Sequence, residues 1–118
     1  MSMRSATTRI IPIALLTFAV WTASTLVASA QDAKKGEAVY GAQKCMTCHM
    51  IGGKGNKTNP LDGVGGKISA AEIKEWIMNP TEMTAKIKST KKPPMPNRYS
   101  KLPPADIDSL VAYLASLK

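Results

Sequence analysis

The chain has 118 residues, with 16 lysines and arginines against 8 acidic side chains and a formal net charge of +8. That length holds one small domain and excludes two. Only 5% of residues are aromatic, which is sparse for a small core that must stand without a staple.

At the start, Arg4 and Arg9 accompany the largely apolar stretch Ile10 to Val27, which runs into Ala28-Ser29-Ala30 before Gln31. This is the pattern of a secretory signal peptide over residues 1–30, ending in a small-x-small cleavage site. The apolar run is also near bilayer-spanning length, so a retained anchor is the alternative. Pro12, Thr17, Thr22, Ser24 and Thr25 dilute its hydrophobicity, and the Ala28-Ser29-Ala30 end favours cleavage. No lipidated cysteine follows it and the arginines are not adjacent, so neither a lipoprotein nor a twin-arginine route is indicated. Cleavage leaves 88 residues (118 − 30), carrying 14 basic and 8 acidic side chains, or +6.

Asp32 to Lys44 reads as a helix with Asp32 as N-cap and a partial apolar face of Ala33, Val39, Tyr40 and Ala42. Gly36 costs roughly 1 kcal/mol against alanine inside a helix. Either a close helix crossing justifies it, or it marks a frayed start.

Both cysteines and the only histidine then fall in five residues, Cys45-Met46-Thr47-Cys48-His49. A Cys-x-x-Cys-His run is the attachment signature of c-type haem: two thiols one helical turn apart add to the vinyl groups, and the adjacent imidazole faces iron. Structural zinc wants four ligands, usually in two pairs, and only three are offered. A thioredoxin-like dithiol would sit in a βαβ pattern, and no strand pattern surrounds these cysteines. A disulfide closing so short a loop would restrain little of the unfolded chain. Export agrees with haem, since a cysteine pair outside the cytoplasm otherwise tends to oxidise.

Met50 to Gly66 is rich in glycine, with Asn56, Asn59 and Pro60, and reads as loop. Ser69 to Met78 is a helix with a Ser69-x-x-Glu72 capping box, Ile73, Trp76 and Ile77 on one face, and Asn79-Pro80 as its stop. Thr81 to Lys92 is polar and lysine-rich, with room for a loose turn of helix. Lys91-Lys92-Pro93-Pro94-Met95-Pro96 follows as an extended segment whose prolines forbid helix. A last helix runs from Pro103 to Leu117, with Asp106 and Asp108 near its positive end and a stripe of Ile107, Leu110, Val111, Leu114 and Leu117.

In order and distance, these segments resemble a small bacterial class I cytochrome c over nearly all of the chain after about residue 31. The resemblance implies an all-α cytochrome c fold of three to five helices around one covalently bound haem, over residues 31–118. It implies attachment through Cys45 and Cys48 and iron ligation by His49. Asn59-Pro60-Leu61-Asp62-Gly63-Val64-Gly65-Gly66-Lys67 looks like the family's Gly-Pro-x-Leu-x-Gly-x-x-Gly-Arg segment, departing at Asn59 and Lys67, and assigns the Pro60 carbonyl to orient His49. Trp76 corresponds to an aromatic beside the haem, although plain core packing would also explain it. Met95 corresponds to the methionine ligand, 46 residues after His49 (95 − 49); Met83 is its rival and lacks the proline frame. Gly36 and Tyr40 correspond to positions that meet Leu110 and Tyr113.

A haem iron held by His49 and Met95 has no open position, so the expected function is one-electron transfer without enzymatic catalysis, in the periplasm and as a monomer. A haem subunit of a dehydrogenase or oxidase complex would use the same residues. Peroxidase-like chemistry would need Met95 unbound. Lys54, Lys57, Lys86, Lys88, Lys91, Lys92 and Arg98 are expected to rim the exposed haem edge and steer acidic redox partners. Nucleic acid is not an expected partner of an exported haem domain.

Overall fold

The structure is a computed structural model and describes residues 20–118. Most of the expected signal peptide, residues 1–19, therefore lies outside the described residues. Among the described residues there are five α-helices: α1 (Val20–Ala42), α2 (Val64–Lys67), α3 (Ala70–Met78), α4 (Pro80–Lys86) and α5 (Pro104–Ser116). Two two-residue strands, β1 (Met50–Ile51) and β2 (Lys54–Gly55), pair antiparallel as a small hairpin directly after the cysteine motif. The stretch expected to be loop thus carries a hairpin and one turn of helix.

Helix α1 corrects the expected start at Asp32. Between Val20 and Asp32 there is no glycine or proline to break the helix, and alanines at 23, 28 and 30 favour it, so Asp32 lies within α1. Its end comes two residues before the expected Lys44, because Lys44 takes the left-handed conformation at φ 56°. Among the described residues no helix is long and apolar enough to cross a membrane.

The crossing of α1 and α5 decides the architecture. A Cβ on Gly36 would overlap the Ser109 carbonyl of α5, so only glycine permits this approach. One turn on, the Tyr40 and Tyr113 rings meet edge-on at 5.9 Å. The close-crossing reading of Gly36 is the one the structure supports. Lys35–Asp106 at 3.3 Å joins α1 to α5, and Lys74–Asp108 at 2.8 Å joins α3 to α5. Both pairs are solvent-accessible and contribute little beside the packing.

Helix α3 starts as its capping box predicts, with the Glu72 N–H donating to Ser69 Oγ at 3.1 Å. It stops at Asn79, but Pro80 does not end helical structure. Proline needs no hydrogen-bond partner at a first helical position, so the fully buried Pro80 opens α4. This helix takes the first half of the stretch from Thr81 to Lys92, and it buries Met83. A 3-10 turn at Asn97–Lys101 then delivers Tyr99 to the core. The core is formed by Val39 and Tyr40 of α1, Ile73 and Ile77 of α3, Tyr99, and Ile107, Leu110, Val111 and Leu114 of α5. It lies to one side of a cleft that the connecting segments wall.

Candidate functional site: a thiol- and imidazole-lined cavity

Cys45, Met46 and Thr47 are wound into a single 3-10 turn. The Cys48 and His49 N–H groups both donate to the Cys45 carbonyl, at 3.1 and 3.0 Å. This winding brings the two thiols one turn apart, as double attachment to a flat ligand requires. Both are free; Cys45 is half-buried and Cys48 exposed. Burial pushes the Cys45 thiol above its usual range, with Arg98 opposing more weakly.

The segment after the motif folds back over it. The Asn56 N–H donates to the Met46 carbonyl at 3.0 Å and the His49 carbonyl at 3.1 Å, and the Asn56 amide reaches the Thr47 carbonyl at 3.3 Å. Gly55 makes this possible: at φ 109° it has a backbone conformation open to glycine, and a Cβ there would overlap the His49 carbonyl. The Gly52 N–H also donates to Asp62 Oδ1 at 2.8 Å, fastening the hairpin to the next loop.

His49 is oriented from its Nδ1 side, which lies 3.1 Å from the Asn59 carbonyl. A carbonyl only accepts, so Nδ1 carries the proton and donates, leaving Nε2 as the unprotonated, metal-binding nitrogen. Burial lowers the pKa of His49 from 6.5, with the Asn59 hydrogen bond opposing and Lys91 adding to the fall, so the neutral ring is favoured.

The acceptor corrects the expectation for Pro60. Met50 bridges Pro60 in parallel, donating to the Asn59 carbonyl at 3.2 Å and accepting from the Leu61 N–H at 2.8 Å. In that pattern the groups of the flanking residues face Met50 while those of the bridged residue face away. The Asn59 carbonyl is therefore on the His49 side and that of Pro60 is not.

A cavity of about 360 Å³ opens beside these groups. Cys45, Cys48, His49, Pro60, Trp76 and Met95 all line it, so every expected site residue is brought to one space. Met83 is buried in α4 and is not among the lining residues, whereas Met95 is. Most of the remaining wall is aliphatic or aromatic, including Leu61, Ile68, Ile73 and Leu110. Tyr40 and Tyr99 line it too. Tyr40 donates weakly to the His49 carbonyl at 3.4 Å, and its phenol is pushed up to about 12, chiefly by burial.

Of the cationic side chains expected at the rim, Lys91 lines the cavity, and Lys54, Lys57, Lys86, Lys88, Lys92 and Arg98 are exposed away from its wall. Arg98 stacks over the Tyr99 ring at 4.9 Å. Asn59 is not among the expected site residues, and Lys91 is expected only as one of the rim cations, not as a partner of Asn59. The asparagine had a visible signal, since it departs from the glycine expected before Pro60. Nothing within the lysine-rich run sets Lys91 apart from the other expected rim cations.

The donor set fits haem c and fits zinc poorly. Among the described residues, no three or more His, Cys, Asp and Glu side chains converge on one point. A pair of free thiols, one imidazole with its Nε2 available and a broad apolar wall instead suit a large flat group bonded through sulfur. The family model for Cytochrome c matches residues 33–118. No curated protein and no solved structure gives a match. With haem c carried covalently by Cys45 and Cys48, the chain belongs to the cytochrome c family.

Proposed function

We propose that this protein is a one-electron carrier whose haem iron is closed by two side chains of this chain, His49 and Met95. The observation that carries the reading is the presence of both residues on the wall that also holds Cys45 and Cys48. When bound, haem c supplies a one-electron couple at its iron. The thiols of Cys45 and Cys48 hold the group, and His49 offers Nε2 while the Asn59 carbonyl fixes its ring. Met95 offers a soft, neutral thioether that favours the reduced metal and raises the potential relative to a second imidazole. Trp76 and the aliphatic wall exclude water, which keeps reorganisation on electron transfer small. With His49 and Met95 both committed to the iron, a substrate would find no place there, and the protein would act as a carrier, not an enzyme.

Residues 1–30 are proposed to direct export to the periplasm and to be removed there, leaving a monomeric domain with no membrane span. Support comes from Arg4, Arg9 and Ala28-Ser29-Ala30 and from a family match that begins at residue 33. Exposed Lys54, Lys57, Lys86, Lys88 and Lys92 favour redox partners with acidic docking faces.

Carbon monoxide tests the closed site. Haem-loaded ferric protein is expected to take up one electron, and the ferrous form so produced to resist carbon monoxide. Rapid and complete binding of the gas would instead support an open, peroxidase-like iron.

A further inference from the structure

The segment that carries Met95 has little to hold it. From Thr90 to Pro96 it has no regular secondary structure, and Pro93, Pro94 and Pro96 have no N–H to donate. Among the described residues, its hydrogen bonds to the opposite wall all come from one side chain. Lys91 Nζ donates to Asn59 Oδ1 at 2.6 Å and to the Thr58 carbonyl at 3.1 Å, across 32 and 33 residues of chain. Asn59 is the residue whose main-chain carbonyl accepts from His49 Nδ1. One asparagine thus holds the histidine through its backbone and the methionine segment through its side chain.

We infer that Lys91 is a positioning residue, a latch that ties the Met95 segment to the loop orienting His49 and so sets how firmly Met95 is held at iron. The inference rests on the His49/Met95 reading above. Its chemistry is a charge-assisted donor bridging two loops, one acceptor being a neutral amide and the other a main-chain carbonyl. The prolines restrict the segment's shape, and the lysine fixes its distance from the far wall. A merely solvated lysine would have no partner on another loop.

The test uses the haem-loaded protein and added imidazole, which competes with Met95 for ferric iron. A population with Met95 released binds imidazole more tightly in proportion to its size. Lys91→Met, which keeps length and removes the donors, is expected to tighten imidazole binding at least about fivefold, since each of the two hydrogen bonds lost contributes on that scale. Lys91→Arg, which keeps a cationic donor, should stay near wild type. Asn59→Ala deletes Oδ1 but keeps the carbonyl used by His49, and should also tighten imidazole binding. The double variant should match Lys91→Met alone, because the contact that Asn59→Ala removes is already lost in Lys91→Met. Unchanged imidazole affinity in Lys91→Met, or effects of the two changes that add, would overturn the latch while the ferric iron–thioether absorption band of the wild type still upheld His/Met ligation. Absence of that band in the wild type would remove the ligation and the latch together, and is recorded first.

Discussion

The two walls of the cavity are built by different means. On the histidine side, residues 45–61 are knitted by main-chain hydrogen bonds: the turn at Cys45, the fold-back of Asn56, and the pairing of Met50 with Asn59 and Leu61. On the methionine side, residues 90–96 rely on three prolines and on Lys91. Backbone bonds of the first kind are many and mutually supporting, and losing one side chain leaves most of them in place. A wall held by restricted dihedrals and one flexible side chain is easier to open. The histidine side should therefore resist substitution of its surface side chains, and the methionine side should be where ligand exchange begins.

The largest effect is expected at the attachment point. Cys45→Ser with Cys48→Ser should yield protein whose intact mass lacks covalent haem, with little folded material, because a domain this small depends on its staple. On the same wall, Gly55→Val should destabilise the protein by about 3 kcal/mol or more in denaturant titration, since a side chain at φ 109° would overlap the His49 carbonyl. A near-normal midpoint would mean that the fold-back is not what holds the motif.

Met95→Ala should act on the iron more than on the fold. We expect a potential lower by on the order of 100 mV in a redox titration, with a smaller change in unfolding midpoint than Gly55→Val. If the loss of Met95 unfolded the domain as severely, the contrast between the walls would fail.

Tyr40 gives a subtler probe of the histidine wall. Its folded pKa is raised from 10.0 to about 12, so the proton is retained in the fold where the unfolded chain has already lost it. The stability this reflects is complete below pH 10 and is lost as pH rises through about 12. Unfolding midpoints should thus fall in that alkaline window, and Tyr40→Phe should flatten the fall. The smallest effect concerns the surface: electron exchange with an acidic partner should slow as salt rises from low to physiological strength, through screening of the exposed lysines.

Much of this site could be read before the fold was known, for a physical reason. Covalent attachment demands two thiols at a fixed spacing beside an imidazole, so Cys45, Cys48 and His49 are written contiguously. Prolines advertise the Met95 segment because they act on their own backbone. The capping box of Ser69 and Glu72 is equally local. What stayed hidden depends on distant chain. Which carbonyl meets His49 follows from the parallel register between Met50 and Pro60, and a one-residue shift moves the role from Pro60 to Asn59. Helix α4 exceeds the loose turn expected there because Pro80 serves as a stop for one helix and a start for the next, and its full burial selects the second role. Lys91 differs from Lys92 only in what lies across the cavity.

Absorption spectroscopy of the oxidised, haem-loaded protein tests the binding of Met95 to iron most directly. A weak red band from a ferric iron–thioether bond should be present in the wild type and absent in Met95→Ala, with Met83→Leu retaining it. A wild-type protein without the band, or a band that survives Met95→Ala and disappears in Met83→Leu, would contradict the account.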